Sequence, residues 1–324
     1  MQLEGLHHVT AITGDAARNL DFYVRVMGLR LVKKTVNQDD PTVYHLFYGD
    51  DDGSPGHDLT FFEYPHAALG RAGDGMVHTI ALRVASTATL DFWSDRLTAE
   101  GVTVERDGDE LRFSDPEGLG FALIAEDVPD APLVAHSDVP AEHALRGFAG
   151  VRAFSSAPTD SATTLEEVLG FVPDGQSIGR WEVRGSERGG WIAYDPPPAE
   201  RGRQSAGTVH HVAWATRLDE QDSWQERVTG AGVQATPVID RFYFRSIYFR
   251  EPSGVLFELA TMGPGFGVDE DPGHLGEGLA LPPFLESRRE QIERALTPLP
   301  DPRTLTSRRR GPGDKHAIGP GAGF

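Results

Sequence analysis

Short apolar segments bounded by glycine, proline or aspartate recur along the whole chain and predict β-strands. Four of them look alike and are each followed by a helix-like stretch. The four strand-like segments are 6–12, 76–84, 148–154 and 209–215, and the stretches that follow them are 16–27, 86–100, 161–169 and 219–231. Three of these stretches end at a glycine, and the fourth ends in Ala231-Gly232, which is typical of a left-handed helix C-cap.

The four segments also close in a similar way. Asp115-Pro116-Glu117-Gly118 and Glu251-Pro252-Ser253-Gly254 are turns that lead into an apolar strand. We therefore predict an α+β fold of four βαβββ modules, at 6–64, 76–126, 148–195 and 208–261. The alternative is a set of unrelated α+β segments, which would not be expected to share both the leading strand and the closing turn.

The length of 324 residues suggests two domains. A segment rich in proline, alanine and aspartate, 127–147, divides the modules two and two. The sequence predicts an N-terminal half at 1–126 and a C-terminal half at 148–262. It also predicts an extension at 263–324 with one amphipathic helix, 283–296, and a flexible tail.

Composition restricts the chemistry and the partners. The chain has no cysteine, which excludes disulfides, thiolate metal sites and a cysteine nucleophile. Its 49 acidic and 30 basic residues give a formal charge of −19, which argues against nucleic acid and anionic membranes as partners. No apolar run reaches the roughly 20 residues of a membrane span, and the first residues do not resemble a signal peptide. We expect a cytoplasmic protein.

Two histidine pairs occupy the same place in the first and fourth modules, His7-His8 and His210-His211. Because side chains alternate across a strand, the members of a pair should point to opposite faces, so that one of each reaches a given ion. Glu258 interrupts an apolar closing strand, where a charge is costly unless it is paired or coordinated. Two imidazoles and one carboxylate form the facial arrangement of non-haem Fe(II) oxygenases. The alternative is that these histidines are hydrogen-bonded core residues.

The second and third modules lack a full ligand set. The second module has a single histidine, His78, and carries Ala122 in its closing strand, while the third closes with Trp191-Ile192-Ala193. We expect these two modules to form a metal-free structural half, and the first and fourth modules to pair.

Longer motifs resemble a known family. They are 6–12, 19–23, 28–41 and 44–46 in the first half, and 209–213, 236–241, 246–252 and 281–286 in the second. They resemble ring-cleaving dioxygenases of the vicinal-oxygen-chelate (glyoxalase/bleomycin-resistance) superfamily, in the branch that includes hydroquinone and methylhydroquinone dioxygenases. The resemblance covers about residues 5–300 and implies two vicinal-oxygen-chelate halves with cup-shaped mixed sheets.

The resemblance implies a dioxygenase that opens a dihydroxylated aromatic ring of the hydroquinone or catechol type with O2, using Fe(II) or, alternatively, Mn(II). The implied metal ligands are His8, His211 and Glu258. The implied pocket residues are His7, Thr10, His210, Arg241 and Tyr248. We also expect a homo-oligomer.

The pocket residues can be given roles. His210 suits acid–base work, and Thr10 can orient an oxygen. Tyr248 can donate a hydrogen bond, and Arg241 can stabilise developing negative charge. The alternatives are a surface salt bridge for Arg241, sheet packing for Tyr248, and a hydrogen-bonded core position for His7.

Two other functions remain open at this point. Glu63 lies in the closing strand of the first module, where a counterpart of Glu258 is expected. A fourth ligand there would favour a glyoxalase-type isomerase or lyase, whereas a solvated strand-end residue would leave the dioxygenase site intact. A metal-free binding module is the other possibility, and the two histidine pairs with Glu258 argue against it.

Overall fold

A computed structural model describes residues 1–175, 177 and 179–305. Within them, sixteen strands form two eight-stranded sheets. The strands are β1 (Leu6–Thr13), β2 (Arg30–Val36), β3 (Tyr44–Gly49), β4 (Asp58–Glu63), β5 (Val77–Val84), β6 (Val104–Asp107), β7 (Glu110–Ser114), β8 (Gly120–Ala125), β9 (Phe148–Phe154), β10 (Val172–Pro173), β11 (Arg180–Arg184), β12 (Gly189–Asp195), β13 (Val209–Thr216), β14 (Ile239–Asp240), β15 (Phe244–Arg250) and β16 (Leu256–Pro264). The α-helices are α1 (Ala16–Leu20), α2 (Thr87–Ala99), α3 (Gln221–Gly230), α4 (Arg289–Ala295) and α5 (Pro302–Leu305).

Each predicted module contributes one strand, a helical segment and three further strands, so the βαβββ prediction is confirmed. The helical segments depart from regular α-helix in two modules. A π-helical segment, Asp21–Val26, continues α1, and the third module has a short 3₁₀ turn and a π-helical segment, Thr164–Val168, instead of an α-helix. The predicted glycine caps are present, since Gly28 and Gly101 have φ of 69° and 80° after their helices.

Each sheet combines one module from the N-terminal half of the chain with one from the C-terminal half. The first sheet has the order β14-β15-β16-β13-β1-β4-β3-β2 and joins the first and fourth modules, as expected from their histidine pairs. The second has the order β10-β11-β12-β9-β5-β8-β7-β6 and joins the second and third modules. The division at 127–147 therefore does not separate the sheets, because the central pairings β1–β13 and β5–β9 link strands from opposite sides of that segment.

One hydrophobic cluster extends across both sheets. Val9 and Val212 of the first sheet and Ile80 and Val151 of the second are fully buried in it. Burial of each such side chain contributes about 1.5–3 kcal/mol, so the cluster holds the two sheets as one body.

The C-terminal extension packs on this body. The predicted helix 283–296 is shorter in the structure, α4, and follows a 3₁₀ turn. Leu285 and Ile292 are buried as expected, whereas Phe284 is 60% exposed. The extension contains a second short helix, α5, and the predicted flexible tail lies outside the described residues. None of the described helices is long and apolar enough to span a membrane.

The first sheet curls around a cavity, which we call the cup. Val36 of β2, near one edge, and Tyr248 of β15, near the other, line the same cavity. The corresponding face of the second sheet carries a small cluster of alanines packed around Trp191. The two sheets thus share a topology and differ in what fills the equivalent space.

Candidate metal centre

Three metal-ligating side chains meet in the cup. His8 of β1, His211 of β13 and Glu258 of β16 come from three adjacent strands. The Nε2 atoms of His8 and His211 are 3.1 Å apart, and Oε2 of Glu258 lies 3.2 Å from the first and 2.9 Å from the second. All three residues are buried. The predicted ligand residues are thus brought together.

The electrostatics of the three residues are those of a ligand set. Burial by itself raises the pKa of Glu258, but His8 and His211 hold it well below its usual range, so the carboxylate is charged. Burial lowers the pKa of His211, which favours the neutral imidazole that binds metals. The hydroxyl of Ser246 donates a hydrogen bond to Oε1 of Glu258, whereas Oε2, which faces the imidazoles, accepts none with hydrogen-bond geometry.

The donor atoms fit a divalent ion. Neighbouring ligand positions on an octahedral ion with bonds of about 2.1 Å are about 3 Å apart. The observed separations of 2.9–3.2 Å match that spacing. Without an ion, an acceptor that is 0% exposed would lack a hydrogen-bond partner, which is costly. Two imidazoles and one carboxylate suit Fe(II), and they leave open positions on the ion.

The other members of the histidine pairs support the ligands. His7 Nδ1 lies 2.9 Å from His8 Nδ1, and His210 Nδ1 lies 2.8 Å from His211 Nδ1. The two rings of each pair are therefore in contact and do not point cleanly to opposite faces, while one member of each, His8 and His211, belongs to the cluster in the cup as predicted. Leu6 and His8 pair with Trp214 and Ala213, which leaves His7 as the extra residue of a β-bulge.

The same irregularity recurs on the partner strand. Thr10 and Ala11 pair with His211 and Val209, so His210 is skipped. A bulge redirects a side chain, and here each extra histidine turns towards the neighbouring ligand. Burial lowers the pKa of His7 to about 3 and that of His210 to about 4. His210 is half-buried and lines a second cavity on the other side of His211.

Arg241 and Tyr248 line the cup. Arg241 donates two hydrogen bonds to the carboxylate of Asp39, at 3.1 and 3.0 Å, and its guanidinium lies 5.6 Å from the centre of the Tyr248 ring. The salt bridge considered for Arg241 exists, and it fixes the guanidinium at the wall of the cup. Burial raises the pKa of Tyr248, so its hydroxyl keeps its proton.

Thr10 is fully buried and reaches the cup indirectly. Its Oγ1 lies 2.8 Å from Oγ1 of Thr60, which in turn lies 2.9 Å from Nε2 of His45. His45 lines the cup, and the sequence analysis did not single it out. A lone histidine in the strand Tyr44–Gly49 gives no local signal, because only its pairing with β4 brings it to the site.

Glu63 is not the counterpart of Glu258. Parallel pairing aligns Ala213 with Glu258 and Thr10 with Thr60. Since Thr10 and Ala213 both lie two residues beyond a ligand histidine, the counterpart of Glu258 is Thr60. Glu63 lies three residues further along and accepts a hydrogen bond from the amide of Ala16 at 3.1 Å. The placement of Glu63 as a potential fourth ligand is therefore wrong, and so is its alternative as a solvated residue, since Glu63 is 2% exposed.

The second sheet has no ligands at the matching positions. The same registers place Thr79, Gly150 and Ala193 where the first sheet has His8, His211 and Glu258. Trp191 packs directly on Gly150 and fills the space. Among the described residues, the only cluster of side chains that could hold a metal ion is that of the first sheet.

Comparison with known proteins identifies the family. Residues 5–123 and 117–259 match the model of the Glyoxalase/Bleomycin resistance protein/Dioxygenase superfamily. MhqA of Bacillus subtilis, a candidate ring-cleaving dioxygenase by its name, is 41% identical over 322 residues, covering 92% of this chain and 100% of its own. A chlorohydroquinone/hydroquinone 1,2-dioxygenase of Sphingobium indicum is 34% identical over 320 residues, covering 91% and 96%.

Solved structures agree. The crystal structure of a candidate dioxygenase from Bacillus subtilis superposes with a TM-score of 0.86 at 39% identity, covering 92% of this chain and 98% of that one. Glyoxalase I from Zea mays superposes with a TM-score of 0.56 at 14% identity, covering 79% and 92%, which shows a shared fold. The chain belongs to the glyoxalase/bleomycin resistance protein/dioxygenase superfamily.

Proposed function

We propose that this protein is a metal-dependent dioxygenase that opens the ring of a dihydroxylated aromatic compound, of the hydroquinone or catechol type, with O2. The observation that carries the proposal is the set formed by His8, His211 and Glu258, whose donor atoms lie 2.9–3.2 Å apart. The names of the similar proteins support the same reaction class.

Fe(II) is the proposed metal, with Mn(II) as the alternative. A bound ion would hold the substrate oxygen and O2 next to each other and let electrons pass between them. The chain supplies two neutral ligands and one negative ligand, so that part of the ion's charge remains to favour an ionised substrate hydroxyl.

The cup provides an apolar setting for a ring. Phe47, Phe62 and Phe244 line it beside the ligands, and the Phe244 ring lies 5.3 Å from that of His8. Apolar walls with a few polar groups are typical of small-molecule sites. Holding a flat substrate against these rings excludes water from the ligand set and orients the ring.

Polar groups occupy one wall of the cup. Arg241, held by Asp39, would stabilise negative charge on a substrate or product oxygen. The hydroxyl of Tyr248 would donate a hydrogen bond there. His7 would orient His8 through their Nδ1 contact, and Thr10 would support the cup through Thr60. His210 is our candidate for moving a proton, because it contacts His211 and faces the second cavity.

An oxygen-electrode assay tests the proposal. Protein loaded anaerobically with Fe(II) should consume O2 with at least one hydroquinone or catechol, and His8→Ala should abolish this consumption. His78→Ala is a matched control, because His78 occupies the equivalent of the His7 position in the ligand-free second sheet and should leave turnover unchanged. If no diol caused O2 uptake and the protein isomerised a thiol adduct, the result would contradict the dioxygenase proposal and favour an isomerase.

We also retain three predictions about context. The acidic charge predicts no nucleic-acid and no membrane partner, and we expect a cytoplasmic location and a homo-oligomer. Light scattering coupled to size-exclusion chromatography would measure the oligomeric state directly.

A further inference from the structure

We infer that His45 hydrogen-bonds the second hydroxyl of a substrate whose two hydroxyls are para to each other. This inference rests on the proposed function and adds a substrate-binding residue to it. It follows from the placement of His45, from the way its ring is held, and from the one nitrogen that remains without a partner.

His45 lies on the wall of the cup away from the ligands. It belongs to β3, which is separated from β1 and its ligand His8 by β4. Strands lie about 4.8 Å apart, so the backbones of β3 and β1 are separated by roughly 10 Å across the floor of the cup. A ring held with one hydroxyl at the ligand set can direct a para hydroxyl towards this wall. The second hydroxyl of an ortho-diol stays beside the first, at the ligand end.

The His45 ring is held firmly. It packs against Phe47 and Phe62, with ring centroids 4.0 and 4.3 Å away. Its Nε2 lies 2.9 Å from Oγ1 of Thr60, whose own position is set by Thr10 at 2.8 Å. A side chain packed against two rings and hydrogen-bonded at one nitrogen loses little freedom on binding a ligand, which favours specific recognition.

The other nitrogen of His45 is available. Nδ1 makes no hydrogen bond to any described residue, while the ring lines the cup. A bound ring would exclude water from this nitrogen, and a ligand hydroxyl would then satisfy it. Because a hydroxyl both donates and accepts, it can bond Nδ1 in either tautomer of the imidazole.

Anaerobic binding tests this inference. The Fe(II)-loaded protein would be titrated with hydroquinone and with 4-methylphenol, which has a similar shape and lacks the second hydroxyl. We expect wild type to bind hydroquinone about tenfold more tightly, a typical effect of one hydrogen bond in an enclosed site. His45→Phe should reduce this ratio to about one while retaining iron, and His78→Phe, a histidine also stacked on a phenylalanine, should leave the ratio unchanged.

A second variant keeps the inference testable if His45→Phe does not fold. Thr60→Val removes the partner of Nε2 and should lower the ratio several-fold through misorientation of the ring. A ratio unchanged by both variants, in folded and iron-loaded protein, overturns the inference and leaves the proposed function intact. Failure of wild type to bind hydroquinone and to consume O2 with any diol overturns the proposed function and this inference together.

Discussion

The indole ring of Trp191 lies so close to Gly150 that a Cβ at position 150 would be 2.1 Å from Cδ2 of the ring. Gly150 occupies in the second sheet the place of the ligand His211, and Trp191 fills the space that a ligand would need. The contact explains how one topology yields a candidate metal centre in one sheet and a packed hydrophobic surface in the other.

Gly150→Ala should destabilise the protein by about 3 kcal/mol, because the added methyl group overpacks a buried ring. Chemical denaturation would measure the loss. Gly230→Ala is a suitable control, since no atom lies within 4 Å of its added Cβ and the position is helical. Combination with Trp191→Ala should cost less than the sum of the two single changes, and strict additivity would contradict direct packing.

Glu258→Gln should reduce iron affinity by about 100-fold or more, because the charged ligand is replaced by a weak neutral one. Iron would be quantified after anaerobic purification. Glu63→Gln serves as the matched control and should retain iron, since an amide oxygen can still accept the hydrogen bond from Ala16. Loss of iron from both variants alike would restore the four-ligand site.

Lys33→Met should destabilise the protein by about 3 kcal/mol, since it leaves two partly buried carboxylates unpaired. The Lys33 side chain is 0% exposed, and its Nζ contacts the carboxylates of Asp269 and Glu270. Lys34→Met should cost less than about 1 kcal/mol, because Lys34 donates one hydrogen bond, to the carbonyl of Glu277. Thermal unfolding of both variants would check the difference, and equal losses would contradict a special role for Lys33.

Because of Asp115, the free energy of unfolding should fall as the pH rises through about 6. Burial raises the pKa of Asp115 from 3.8 to about 6 in the folded protein, so the protonated form is favoured by folding below that pH. The stabilisation is complete below pH 3.8 and is lost as the pH rises through about 6. Relative to Asp115→Asn, wild type should lose about 1 kcal/mol of unfolding free energy between pH 5 and pH 7. A difference that is constant across this range, measured by urea denaturation, would contradict the raised pKa.

Local sequence patterns were sufficient for the modules and for the residues among which the candidate ligands lie. Strand-like segments, helix-capping glycines and Pro-Gly turns repeat at four places, and local propensity decides such features. A charged residue in an apolar strand, Glu258, and the two histidine pairs indicated a candidate metal site, because burying these side chains without a partner is costly wherever the strand lies. The choice of His8 and His211 within the pairs came from the family resemblance.

Strand register decided what these patterns left open. The sequence made Glu63 the expected counterpart of Glu258, either as a fourth ligand or as a solvated strand-end residue, whereas the alignment of β1 with β4 gives that counterpart position to Thr60. A displacement of three residues reverses the face and moves the side chain by about 10 Å, and only the pairing with the neighbouring strand fixes it. The same holds for His7, whose turn towards His8 follows from a bulge in the pairing with β13.

The sequence by itself thus determined four modules, a ligand set drawn from the first and the fourth, and the absence of thiolate chemistry. Only the tertiary structure decided that Thr60, and not Glu63, faces the centre, that His7 and His210 hold the ligand imidazoles, and that His45 forms the opposite wall of the cup. Each of these relationships depends on contacts between strands that are far apart in the chain. The packing of the whole sheet fixes these contacts, so the neighbouring residues in the sequence do not reveal them.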